Sequence, residues 1–213
     1  MRWNKDKAAK MLLGIAGIIF IGIGVSFNAS AALGNDPIGI VYDGIRNAAH
    51  LSPEQLGMTS NIVNIVLIII VFLAEKHYVS IGTLVHLLFY GNAVSIGGKI
   101  YQIVFGTGTL LTQIVGATVG CTLMYLGVAM FITADMGLDP FTGLVMVLRD
   151  KTKKEFQIVK ISFDVGCIAI GFLLGGKLGV ITVITAVTAG PVIQFLSGKI
   201  ERLMGRVAGK SAK

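Results

Sequence analysis

The sequence predicts an all-α, polytopic transmembrane helix bundle built from two internal repeats, each with a short interrupted or re-entrant helix after a Gly-x-Asp-Pro turn. Three observations lead there. Apolar residues make up 54% of the 213 and charged residues only 14%, against roughly 45–50% and 25% in soluble proteins. The charges are segregated: residues 1–10 hold five, 149–160 seven and 199–213 six, leaving 11 for the other 176 residues. So few charges cannot solvate a globular surface, so lipid must be the solvent for most of the chain. Finally, a segment of the first half recurs in the second.

Six stretches reach the roughly 20 apolar residues that a hydrocarbon core of about 30 Å requires: 11–33, 55–74, 78–98, 110–133, 156–175 and 178–197. Each must be a helix, because open strands or loops in lipid leave backbone groups unpaired. The first has a basic start and ends near Ala29-Ser30-Ala31, like a cleavable secretory signal. Its recurrence in mid-chain, where nothing is cleaved, marks it as a retained helix. Asn28-Ala29-Ser30 matches a glycosylation sequon, which has no meaning inside a membrane helix. Two shorter apolar pieces, 37–49 and 140–148, extend about 20 Å or less at 1.5 Å per residue. Neither spans comfortably. Cys121 and Cys167 lie within apolar runs and read as small packing residues.

Loop charges put both termini in the cytoplasm. Arg2, Lys5, Lys7 and Lys10 mark one end, Lys199, Arg202, Arg206, Lys210 and Lys213 the other, and Arg149, Lys151, Lys153 and Lys154 share that side. Two topologies satisfy this. Re-entrant short pieces give six crossings and inverted halves, with 14 basic residues inside and Arg46, Lys99 and Lys177 outside. Crossing short pieces give eight crossings and parallel halves, with 15 inside and two outside. Charge does not separate them. The net charge of +7 is thus an orientation signal, and nucleic acid is not an expected partner.

Displacing the sequence by 103 residues brings Gly24-Val25 onto Gly127-Val128, Ala31 onto Ala134, Gly34 onto Gly137 and Asp36-Pro37 onto Asp139-Pro140. That is six identities in 22 positions, and it sets a charged Asp-Pro pair in register within two apolar segments. Later the offset falls to 99, so Thr83 meets Thr182 and Gly91 meets Gly190. The expected units are residues 1–106 and 107–213, one integrated membrane domain. Secondary transporters often carry such repeats, with binding sites where the halves meet.

Gly34-Asn35-Asp36-Pro37 and Gly137-Leu138-Asp139-Pro140, each between a long and a short helix, resemble the YczE/YyaS/YitT family of bacterial membrane proteins. Gly82-Thr83 with Gly91, and Thr182 with Gly190-Pro191, fit the same pattern. The resemblance covers nearly the whole chain. It implies a duplicated bacterial inner-membrane protein and carries over no catalytic or binding residues.

Aspartate is a favoured helix N-cap and proline suits the first helical position, so Asp36-Pro37 and Asp139-Pro140 should open the short helices after turns at Gly34 and Gly137. If those helix starts face a polar cavity, their carboxylates favour a cation or proton there. Asp164 lies mid-span, where a carboxylate costs roughly 2.5–3.5 kcal/mol on insertion scales. Lys160, one turn earlier, is within reach of it. Asp164 is therefore the candidate coupling carboxylate. Asn61 matches it in the first half, and two roles are open to it and Asn64: presenting amides toward Asp164 across the repeat interface or, as favoured, packing between helices. His86 is a candidate proton relay, and Asp135, whose counterpart is Ala32, a candidate selectivity residue. Gly116-x-x-x-Gly120 and Gly171-x-x-x-Gly175 should serve helix packing.

No zinc-hydrolase, serine-elbow, phosphate-loop or cysteine–histidine signature occurs. An enzyme is not expected, nor a metal or cofactor. The leading expectation is a multi-pass cell-membrane permease of a small solute, with proton or cation coupling. The alternative is a non-transporting scaffold, sensor or regulator. The bilayer and a solute or ion are the expected partners, and oligomers are compatible with either reading.

Overall fold

The computed structural model describes residues 5–106 and 108–211. Arg2 and Lys213, which enter the orientation argument, lie outside them. All regular structure among the described residues is helical. The helices are α1 (Lys5–Ala31), α2 (Pro37–Ala48), α3 (Leu56–Glu75), α4 (Ile81–Phe105), α5 (Leu110–Ala134), α6 (Pro140–Thr152), α7 (Phe156–Leu173) and α8 (Val180–Ser211), with 3₁₀ turns at Pro53–Gln55 and Lys76–Tyr78. Six of the eight, all but α2 and α6, are long and apolar enough to cross a membrane. At 12 and 13 residues, α2 and α6 reach about half of a bilayer core.

The boundaries differ from the apolar runs where local chemistry intervenes. The fourth helix starts at Ile81 rather than at residue 78, because Ser80 caps it and accepts a hydrogen bond from the Thr83 amide at 3.3 Å. It then runs past Lys99 to Phe105, since a helix outlasts its apolar stretch wherever solvent accepts the next turn. The last helix likewise continues through its basic tail to Ser211.

Lipid offers no hydrophobic drive for helices to associate, so close backbone approach must supply it. The central seam is α1 against α5. Gly17 abuts Gly127 and Phe131, and Gly24 abuts Gly120 and Met124; a Cβ at any of these glycines would strike the facing backbone. Residue numbers rise on α1 as they fall on α5, so the two helices are antiparallel. Six crossings produce that direction, whereas eight would make them parallel. On another face of α1, Gly22 meets Ala93 and Val94 of α4. Gly120 packs on α1 and Gly116 against Tyr101 of α4, while Gly171 packs on Ile40 and Gly44 of α2. The outward faces of α3, α7 and α8 expose apolar side chains such as Ile62, Ile69, Ile161, Ile170, Val183 and Val187.

The short helices cross-link the bundle. The α2 helix lies along α7, with Ile40 and Gly44 against Gly171 and the Asn47 amide donating to the Gly175 carbonyl at 2.6 Å. The α6 helix lies along α3, with Gly143 facing Val71 and Asp150 bonded to the Tyr78 hydroxyl. Both therefore begin inside the bundle and end at its surfaces, at opposite ends. Two further backbone bonds tie the turns before them to helix starts elsewhere: Ile181 N–H to the Leu33 carbonyl (3.0 Å) and Gly82 N–H to the Met136 carbonyl (3.2 Å).

Replacing Gly24 or Gly127 by leucine should destabilise the protein by about 1–3 kcal/mol through overpacking. Gly98→Ala, whose Cβ would meet nothing within 4 Å, should be neutral or slightly stabilising. Unfolding in detergent, followed by circular dichroism, reads both.

Candidate functional site

A helix that begins inside a membrane leaves amide N–H groups without intrahelical partners. The chain supplies them locally. After α1, Ala32 and Gly34 take left-handed backbone angles (φ 59° and 104°), and the chain folds back until the Asn35 side-chain amide donates to the Val25 carbonyl at 3.4 Å. Asp36 then caps α2, its Oδ2 accepting from Gly39 N–H at 3.3 Å. The second turn uses Asp135 and Gly137 in the same conformations (φ 52° and 123°). Asp139 caps α6 more fully: Oδ1 accepts from Phe141 and Thr142 N–H at 3.1 and 3.0 Å, and Oδ2 from the Thr142 hydroxyl at 2.5 Å.

A buried polar and aromatic cluster lies between the two helix starts. The Tyr42 hydroxyl donates to Asn64 Oδ1 at 2.8 Å, and the Tyr42 ring meets Phe141 edge-on at 5.6 Å and Tyr90 at 5.8 Å. Tyr90 in turn stacks on His86 at 4.8 Å. Asp139 lies within electrostatic range of both Tyr42 and His86. Five buried polar atoms here and nearby find no protein partner: Asp36 Oδ1, Asn64 Nδ2, His86 Nδ1, Asn28 Nδ2 and Asn61 Oδ1. Such atoms are rare in folded proteins and cost about 1–3 kcal/mol each when nothing satisfies them. Asp36 Oδ1, Asn64 Nδ2 and His86 Nδ1 are the three beside the two caps, and that mixture of donor and acceptor suits water, a cation or a small hydrogen-bonding solute.

Asp164 pairs with Lys160 at 2.5 Å, and both side chains are about one-third exposed. They share a face of α7 with Cys167 and Gly171, the face packed on α2, and Asp36 lies within electrostatic range of both. Asp164 thus flanks the start of α2 at mid-bundle. Of the two roles open to Asn61 and Asn64, the structure places both in contacts between neighbouring helices and not at Asp164. Asn61 fills the space beside Gly91 of α4, and Asn64 serves Tyr42 on α2. The α3 helix turns that face toward α2 and α4. Asp135 sits apart from the cluster, in a cavity of about 450 Å³ beside Lys10, Thr133 and Glu201, at the bundle end where α1 begins and α8 ends.

Reading the sequence missed Asn28, Asn35, Tyr42 and Tyr90, whose signal was polar or hydroxylated side chains within apolar helices. It also missed Asp43 and Arg46. These are nearly buried and joined at 2.8 Å, with Asp43 also accepting the Lys177 amide and Arg46 bonding Leu51 and Asn47. Their spacing on a short, otherwise apolar helix was the available signal. At the other end, Arg149 and Tyr78 hold Asp150.

These features define a polytopic integral membrane protein with two helices that start within its interior. The chain belongs to the family described as "Family of unknown function (DUF6198)", whose profile matches residues 8–198. It is similar to an uncharacterized protein of Haemophilus influenzae, 26% identical over 86% of this chain and 81% of that one. Two proteins of Bacillus subtilis are also similar. The uncharacterized membrane protein YczE is 26% identical over 92% of this chain and 90% of its own, and YyaS is 20% identical over 87% and 91%. The expected likeness to YczE and YyaS is thereby shown over most of the chain. No solved structure matches.

Tyr42→Phe removes the Asn64 partner and should cost about 1–3 kcal/mol in detergent unfolding. Asp139→Ala should cost about 0.5–2 kcal/mol, with Asp139→Asn retaining most of the cap. At the surface, the Tyr78 hydroxyl and then Arg149 hold the Asp150 carboxyl below the usual carboxylate range. Its stabilising contribution is present above the ordinary value of about 4 and fades as pH falls through the lowered one. Asp150→Asn should flatten that acid limb in a pH titration of the melting temperature.

Proposed function

We propose that the protein is a permease of a small solute, coupled to a proton or cation, built from two inverted repeats (1–106 and 107–213) with both termini in the cytoplasm of the cell that holds it in its membrane. The observation that carries the reading is the pair of half-length helices whose capped starts meet a buried cluster of unpartnered polar atoms at mid-bundle. Discontinuous helices that end at mid-membrane are how many secondary transporters build their sites.

Support for the repeat comes from exchanged contacts. The offset of 103 relates Gly17 to Gly120 and Gly24 to Gly127, and the seam joins Gly17 with Gly127 and Gly24 with Gly120. The offsets of 103 and 99 likewise relate Leu33 to Met136 and Gly82 to Ile181, and the two backbone bonds join Leu33 with Ile181 and Met136 with Gly82. Each contact maps onto its mate with the halves swapped, as a two-fold axis lying in the membrane plane requires. The basic residues 149–154 and the termini then share the cytoplasmic side. The carboxylates of Asp36 and Asp139 offset the positive helix ends, so the site favours a cation or an accompanying proton, and Asp164 is its coupling group.

Vesicles containing the purified protein and a trapped pH-sensitive dye, challenged in turn with a panel of metabolites and ions, test the reading. A solute-driven proton movement is expected, and Asp164→Asn should abolish its pH dependence while leaving helicity intact. An unchanged pH dependence removes Asp164 from coupling. Absence of any flux, together with a stoichiometric protein that co-purifies from the native membrane, selects the scaffold or regulatory alternative.

A further inference from the structure

Topogenesis disfavours positive charge on the outer side of a membrane protein. With six crossings, only Arg46, Lys99 and Lys177 of the 18 basic residues fall on that side. They come from three separate segments, the last turns of α2 and α4 and the α7–α8 connection, yet all three line one cavity of about 490 Å³, formed by the ends of α1, α2 and α4 and the start of α3. The acids of that side, Asp43 and Glu54, line it too. Every charged residue of the outer connections therefore converges on a single concavity, whose volume lies within the range of small-molecule sites.

The charges are not equivalent. Asp43 and Arg46 consume each other in the nearly buried pair described above. Among the described residues, no acidic side chain reaches Lys99 or Lys177 within ion-pair distance, and no base reaches Glu54. Two free ammonium groups thus face one free carboxylate, and the cavity carries a net charge of +1 over its five charged residues. Ser30, Ser95 and Gln102 add hydrogen-bonding groups, and Ala29, Leu56 and Val94 an apolar floor. Leu56 and Val94 belong to the same packed cluster as Tyr42 and Tyr90, so the floor is one layer above the central site. The cavity at the cytoplasmic end has the opposite balance, with Asp135 and Glu201 against Lys10.

We propose that this outer cavity is the recognition site for a small organic monoanion, its carboxylate taken by Lys99 and Lys177 and its body resting on Leu56 and Val94. The assignment names the solute class of the permease reading and rests on it. A carboxylate moving inward meets Asp36 and Asp139, so its passage needs an accompanying proton or cation, consistent with coupled transport. Gly98 lines the cavity with open space where a Cβ would stand, which makes it the position at which to fill the site without disturbing the helix seams.

The test reads binding alone, so that it stands apart from the flux experiment. Detergent-purified full-length protein is melted with a series of short-chain monocarboxylates and with their uncharged amides. A ligand of the folded state raises the melting temperature by mass action. Carboxylates, and not amides, should stabilise with saturation. Lys99→Gln and Lys177→Gln should each weaken the apparent affinity about tenfold or more, as loss of a charge-assisted bond implies. Gly98→Trp should abolish the shift while leaving the unliganded melting temperature near that of the unaltered protein. Equal stabilisation by the amides, lysine variants that bind as before, or a shift produced by anionic phospholipid and by no carboxylate would overturn the assignment. Carboxylate binding without flux would sink the permease reading and spare the site, whereas flux driven by other solutes without carboxylate binding would do the reverse.

Discussion

Starting a helix in the middle of a bilayer exposes amide groups that neither water nor the helix itself can satisfy. The rest of this architecture follows from how the chain meets that demand. Two short helices, α2 and α6, begin inside the bundle, and each carries its own acceptor in the residue before its first proline. Asp36 and Asp139 are thus structural before they are functional. Their carboxylates lie at mid-bundle because a cap must sit where its helix starts, and the proposed preference there for a cation or proton over a bare anion is a by-product of that necessity.

Holding two helix starts at that depth requires the long helices to leave room and stay rigid. The α1–α5 seam does this with glycines at the contact points, bringing backbones together so closely that no side chain fits between. The turn at Ala32–Gly34 then folds the chain back along α1, and the turn at Asp135–Gly137 is held by the start of α4. Each short helix is clasped by a long helix of the other half, α2 by α7 and α6 by α3, and pinned at its far end by polar residues: Asp43, Arg46 and Asn47 at one surface, Arg149 and Asp150 at the other. The pins differ in kind, the first nearly buried and the second exposed, so the two ends of the molecule are alike in plan and unlike in chemistry.

The candidate site was legible only in its anchors. Asp36, Asp139, Lys160 and Asp164 stand out in a chain with so few charges, and spacing alone put Lys160 within reach of Asp164. Whether Asn61 and Asn64 reach Asp164 or pack was open in the sequence, because register along a repeat does not say which face a helix turns to its neighbours. Tyr42, Tyr90 and Asn28 carried little signal, since a tyrosine or asparagine in an apolar helix looks the same whether it faces lipid headgroups, a packed seam or a polar cluster. The convergence of Lys99 and Lys177 could not be read at all, because they are separated by more than two helices and meet only in space.

By itself the sequence determined the solvent, the number of long apolar helices and the places where short helices begin, because hydropathy, charge scarcity and the Gly-x-Asp-Pro turn act within a few residues. The tertiary structure decided the direction of α1 relative to α5, which separates six crossings from eight, and the partners of the polar side chains that bond between helices, such as Tyr42 and Asn64. Both are properties of facing surfaces. They depend on which glycines meet and which helix lies alongside, and no local pattern encodes that.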